Sequence, residues 1–172
     1  IAGADELSGG GLDVPPANSG LRRQLLLARL VRASAEMPVE QAAMLAVELG
    51  RLIDRVITER LSFDRLTEIV PDEHAEHWQE TLKFLEIVTA HWPNILAAEG
   101  TIDAADRRNQ LLAAETERWR RNPPQGLVVA AGSTGSIPAT ADLLDVVAGL
   151  PRGVLVLPGF DPTMAPELAA AA

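Results

Sequence analysis

The chain has 172 residues, of which 47% are hydrophobic, with 15 basic against 24 acidic side chains, a formal net charge of −9, and no cysteine. Such a length holds one domain or one domain with an appendage, and the apolar fraction is sufficient for a buried core and too high for a disordered chain. The acidic balance weighs against a free-standing nucleic-acid surface and against docking on anionic membranes, while the lack of cysteine excludes disulfides, zinc–thiolate centres and iron–sulfur clusters within the chain.

No apolar run approaches the roughly 18 residues of a membrane span. The opening stretch IAGADELSGGG lacks the basic and apolar regions of a signal peptide, so a cytoplasmic location is expected. A first residue of Ile1 rather than Met suggests a processed or excised piece.

Residues 1–18 read as a flexible loop, with Gly9, Gly10 and Gly11 followed by Pro15 and Pro16. A helix is predicted from about Ser19, with Leu21, Leu25, Leu26, Leu30 and Val31 inward and Arg22, Arg23, Arg29 and Arg32 mostly outward. Met37-Pro38 breaks it, and Pro38 suits the first turn of a second helix. There Ala42, Leu45, Ala46, Leu49, Leu52, Ile53, Val56 and Ile57 form a sustained apolar stripe. Glu48 and Arg51, and Arg55 and Glu59, are spaced to pair on its other side.

Residues 62–70 read as a short helix. A longer one follows from Asp72, with Trp78, Leu82, Leu85, Val88 and Trp92 as its stripe. Pro93 is expected to kink or end it, and Gly100 to cap the continuation. Asp103 is placed as the cap of a further helix reaching about Arg121 and stopped by Asn122-Pro123-Pro124.

From here the pattern changes. Leu127–Ala131 and Val154–Leu157 are apolar runs of strand length, separated by the amphipathic stretch Ile137–Leu150. Two such strands joined by a helix predict a right-handed parallel βαβ unit, and continuous apolar runs predict a sheet covered on both faces. Two strands alone make a poor parallel sheet, which points to further strands lying outside this sequence. The expected fold class is therefore mostly α with a small α/β part. A helical subdomain spans 19–124, a βαβ unit 125–162 and a tail 163–172.

Gly132, Ser133, Thr134, Gly135 and Ser136 form a glycine-bearing turn between strand and helix, where backbone N–H groups and the helix dipole favour an anion. Neither the lysine-bearing phosphate loop nor G-x-G-x-x-G is present; a plain βα turn with Ser136 as N-cap is the competing reading. Arg107, Arg108, Arg118, Arg120 and Arg121 make the one basic segment, suited to a phosphate or an acidic partner, or to complementing the helix dipole. His74 and His77, at i, i+3, lack an evident fourth metal ligand, and Asp161 follows the second strand where catalytic groups often collect. The tryptophans Trp78, Trp92 and Trp119 lie on apolar stripes and read as core.

The segments EHWQETLKFLEIVTAHWPNIL, IDAADRRNQLLAAETERWRRNPP and LVVAAGSTGSIPATADLLDVVAGLPRGVLVLPGFD, with LRRQLLLARLVRA and AVELGRLIDRV, together resemble the N-terminal part of the AddB family in its alphaproteobacterial form. These are the double-strand-break repair subunits of the AddAB helicase–nuclease. The resemblance covers about Leu21 to Asp161. It implies a superfamily 1 helicase-like region that is not the motor, with an inserted helical subdomain at 19–122 and a return to an incomplete RecA-like sheet at 127–161. It also implies AddA and DNA as partners of the parent protein, and roles in DNA handling and AddA docking. No catalytic residue carries over, because Ala131-Gly132-Ser133 stand where an active helicase has its magnesium-binding acidic pair. The family's iron–sulfur cluster and magnesium would lie elsewhere, so no cofactor and no enzymatic activity are expected of this chain. The alternative is a small phosphate-ligand protein or enzyme using Gly132–Ser136.

Overall fold

The computed structural model describes residues 14–34, 37–63 and 85–159. The elements are α1 (Gly20–Ser34), α2 (Val39–Thr58), a π turn (Ile87–His91), α3 (Trp92–Glu99), α4 (Ala104–Arg121), β1 (Val128–Ala131), α5 (Pro138–Gly149) and β2 (Gly153–Val156). Among the described residues the chain is mostly helical, with one small two-stranded parallel sheet. It divides into a unit of residues 1–114 and a unit of residues 115–172. None of the helices among the described residues is long and apolar enough to cross a membrane. Trp78, His74, His77 and Asp161, with the helix predicted over 62–70, lie outside the described residues apart from 62 and 63.

In the first unit α1 packs along α2. The core joins Leu27 and Val31 of α1, Ala42, Ala46, Leu49 and Ile53 of α2, and Ile87, Val88 and Trp92 beyond. The stripe predicted for α2 holds in its centre, but Leu45 and Leu52 fall on its flank and stay 36% and 39% exposed. The face predicted for α1 is rotated. Leu21 and Leu25 are exposed, and the inward residues are Arg23, Leu27 and Val31, spaced by four. An arginine in the first turn of the inward face disguises that face from any count of apolar residues.

Arg23 turns inward because carboxylates receive it. Its Nε donates to Asp103 Oδ1 at 2.7 Å, Nη1 and Nη2 reach Asp54 at 3.1 and 2.9 Å, and Nη2 also reaches the Gly50 carbonyl at 3.2 Å. The indole Nε1 of buried Trp92 donates to Asp103 Oδ2 at 2.9 Å. Asp103 is only 3% exposed, and both its oxygens serve this network. The cap role foreseen for Asp103 thus falls to its backbone, with Arg107 N–H donating to its carbonyl.

Residues 14–18 are not the free loop predicted from composition. Ala17 forms a parallel bridge with Ile102, flanked by Asn18 N–H to Ile102 O (2.9 Å) and Ile102 N–H to Pro16 O (3.1 Å). Pro93 does not end its helix either. The π turn widens the backbone just before it, with Trp92 N–H bonded to Ile87 O, and places Pro93 in the first turn of α3, where no N–H is required. Gly100 closes α3 at φ 61°, with Thr101 N–H to Leu96 O and Gly100 N–H to Ala97 O completing a Schellman cap.

In the second unit β1 and β2 pair in parallel register, Val128 with Gly153 through Ala131 with Val156. Val128, Ala130, Gly153 and Leu155 are half-buried and alternate with exposed Val129, Ala131, Val154 and Val156. The expectation of a sheet covered on both faces therefore fails: among the described residues one face is open, with Val129 at 54% and Val156 at 53% exposure. On α5, Ala139 and Val147 are buried, and Leu143 and Leu144 are half-buried. Gly153 lies so close beneath α5 that a Cβ there would stand 1.8 Å from the Val147 carbonyl oxygen.

Two substitutions test these contacts. Asp103→Ala leaves the Trp92 indole N–H without its acceptor and the Arg23 guanidinium with Asp54 and the Gly50 carbonyl alone, and urea unfolding is expected to show a loss of about 1–3 kcal/mol. Gly153→Ala forces backbone against backbone and is expected to cost at least about 1–3 kcal/mol. Gly149→Ala, where a Cβ meets nothing within 4 Å, is expected to leave the melting temperature unchanged or higher.

Candidate functional site

The turn Gly132–Ser136 follows the C-terminal end of β1, on the edge of the parallel strands where α/β folds place their ligands. Gly132 N–H donates to Val156 O at 3.1 Å, which extends the ladder by one bond and anchors the start of the turn. Gly132 and Gly135 have φ of 80° and 70°, a left-handed backbone that glycine adopts without cost. Inside the turn Gly135 N–H donates to Ser133 Oγ at 3.3 Å, and Thr134 Oγ1 bonds Ser136 Oγ at 3.1 Å. So Ser133, Thr134, Gly135 and Ser136 chiefly satisfy one another.

Ser136 is not the helix cap. That position belongs to Ile137, with φ −89° and ψ 122° and no side-chain cap bond. The physical reason is Pro138, which drives the residue before it into extended backbone and shifts the cap one place along. The N-terminus of α5 is poor in donors. Pro138 has no N–H, and the N–H groups of Thr140 and Ala141 both turn to Ile137 O at 2.9 Å. The hydroxyls of the turn are therefore spent within it, and the helix start lacks the donor that Pro138 cannot supply.

The arginines of α4 fall into two groups, Arg107 and Arg108 in the first unit and Arg118, Arg120 and Arg121 in the second. Arg108 Nη2 donates to Thr58 Oγ1 at 2.8 Å, beside Asn109 Nδ2, which donates to the Ile57 carbonyl at 2.7 Å. Both bonds tie α4 to the end of α2. Arg107 is half-buried in the same unit. At the other end Arg118 pairs with Glu115, and Arg120 with Glu117 at 2.7 Å, each three residues back. Hydrogen bonding to Glu115, reinforced by its charge, raises Arg118 above the ordinary guanidinium value. Arg121 Nε reaches the Glu117 carbonyl at 3.3 Å. Of the five arginines, Arg118 and Arg120 are paired with glutamates of their own helix.

Another ion pair spans elements. Arg22 of α1 grips Glu99 of α3 with two guanidinium nitrogens on two carboxylate oxygens. This hydrogen bonding, aided by the charge of Arg22, holds the Glu99 carboxyl below its usual range and raises Arg22. Among the described residues no group of three or more His, Asp or Glu stands where it could hold a metal ion. His91, in the π turn, is exposed. The features that sequence reasoning missed are the inward Arg23 and a hollow between α1 and α3. The four-residue spacing of Arg23, Leu27 and Val31 was the available signal.

No family model, curated protein or solved structure matches the chain.

The Arg22–Glu99 pair yields a pH prediction. Because Glu99 titrates lower when folded, its contribution is present above the unfolded carboxylate value near 4.3 and is lost as pH falls through the lowered value. Arg22 stays charged throughout that range. Glu99→Gln is expected to lower the unfolding midpoint at neutral pH, with the gap from the unaltered chain closing progressively below about pH 4.

Proposed function

We propose that the chain is a non-catalytic, helicase-like scaffold segment of an AddB-type subunit, serving DNA handling and docking of the AddA-type motor in a cytoplasmic double-strand-break repair complex. The observation that carries this reading is the open apolar face of β1 and β2. Parallel strands are stable when covered on both faces and accompanied by further strands. A βαβ unit with three exposed valines on one face suits a RecA-like sheet whose remaining strands and helices belong to a larger protein. The long segments that resemble the AddB family, from Leu21 to Asp161, give the same direction.

The chemistry at the strand ends supports a role without catalysis. A motor of this class holds magnesium and nucleotide with carboxylates and a phosphate-loop lysine. Here β1 leads into Gly132 and Ser133, and β2 into Leu157 and Pro158. Scaffold rather than DNA-gripping surface is favoured by the self-paired arginines of α4 and the net charge of −9.

A second reading rests on the position of the hydroxyl-bearing turn at the C-terminal edge of the sheet. It makes Gly132–Ser136 a site for a small phosphorylated ligand. Three measurements separate the two. On the scaffold reading, the chain hydrolyses no ATP above background with or without duplex DNA, captures an AddA-type subunit in a pull-down, and does not melt higher with phosphorylated nucleotides or sugars. Saturable ATP hydrolysis abolished by Ser133→Ala or Thr134→Ala would overturn it in favour of the second.

A further inference from the structure

Between α1 and α3 the first unit carries a groove of about 670 Å³. Its floor is apolar, formed by Leu26, Leu30 and Ala33 of α1 and by Ile95 and Ala98 of α3. On α1 these positions are four and three residues apart, and on α3 three apart. They form two apolar rows with a furrow between them. That is the surface onto which a third helix packs its own ridge. The α1 floor residues span ~10 Å along the axis, about two helical turns. Past Leu30 and Ala33 a second hollow of about 470 Å³ runs on to Ile87 and His91.

The lip of the groove carries the charge argument. Arg29 and Arg32 line it and have no ion-pair partner among the described residues. Their neighbours on α1 behave differently, with Arg22 held by Glu99 and Arg23 by Asp54 and Asp103. Glu99 also lines the groove, but its charge is met by Arg22. In a chain of net charge −9, two unpaired arginines beside an apolar furrow are a local reversal of sign. Glu86 stands at the far hollow, so the positive lip is confined to the α1–α3 end.

We infer that this groove docks an amphipathic helix from a protein partner, with its apolar face on Leu26, Leu30 and Ile95 and acidic residues on the flank that meets Arg29 and Arg32. The inference stands on the helical unit alone and is independent of the helicase-like reading.

The test uses the full chain and a labelled synthetic helix of about 14 residues, with leucines at i, i+3, i+4 and i+7 and glutamates on its flanks. A twin peptide carries lysines in place of the glutamates. Fluorescence anisotropy is expected to show binding of the acidic peptide and roughly tenfold weaker binding of the lysine peptide, the size expected of two exposed ion pairs. The double variant Arg29→Glu, Arg32→Glu, altered only at exposed positions, is expected to reverse that preference. Ala98→Arg, which fills the furrow from an exposed site, is expected to abolish binding of both peptides while the melting curve stays cooperative. No binding of the acidic peptide, equal binding of the two, or a preference that survives the charge reversal overturns the inference. So does sedimentation showing a dimer that the charge reversal dissociates, which makes a second copy the occupant. Acidic-peptide binding that appears only after residues 64–84 are deleted would also overturn it, because the chain then covers its own groove.

Discussion

The first unit is organised around one carboxylate. Asp103 accepts from Arg23 of α1 and from the Trp92 indole of α3 at the entry to α4, and Arg23 carries the connection on to Asp54 and the Gly50 carbonyl of α2. Four helices are joined through one guanidinium and one carboxylate. Burying such a carboxylate is costly unless directional donors replace its water, and here the donors are a forked cation and an indole N–H. The network also imposes a condition on α2. A Cβ at Gly50 would lie 3.3 Å from Arg23 Nη1 and 3.6 Å from Leu27 Cδ1, so the guanidinium and the leucine both use the space that glycine leaves.

This network determines which parts of the helical unit were legible in sequence. The centre of α2 was readable because its apolar residues are numerous and strictly periodic. The stop at Gly100 was readable because few residues adopt its left-handed backbone. The phase of α1 was not, since its inward face begins with a charged residue and its outward face carries Leu21 and Leu25. Apolar counting assumes that charge points to solvent, and Arg23 breaks that assumption only through partners 31 and 80 residues away. The bridge of Ala17 to Ile102 was invisible for the same reason, because a non-local backbone pairing leaves little trace in local composition.

In the βαβ unit the elements were legible to within about a residue at most ends, because strand-length apolar runs flank an amphipathic helix. Coverage of the sheet was not, because an apolar strand reads alike whether its second face is covered or open. The turn shows the opposite limitation. Glycines and serines between strand and helix favour an anion site by composition. The dipeptide Ile137-Pro138 then moves the cap beyond the serines and removes an N–H from the helix start. A candidate phosphate turn is decided by which amides stay free, and that depends on the residues after the motif.

Charge placement connects the two units to function. Arg22, Arg118 and Arg120 each meet a glutamate, and such exposed pairs are individually weak because water screens them and two long side chains must be held in place. A nucleic-acid phosphate could displace any one of those glutamates at little cost. The freed glutamate would remain beside the phosphate, however, and counterion release rewards cations whose neighbourhood is net positive. Nine excess negative charges over the chain work against that. A protein helix bearing a few acidic residues meets a different balance. It needs only a short positive lip beside an apolar furrow, and its affinity comes from the furrow while the lip selects its sign. On the docking inference, Arg29 and Arg32 would supply that lip without an ion pair being broken, since neither has one among the described residues, whereas a phosphate at Arg22, Arg118 or Arg120 would have to displace a glutamate.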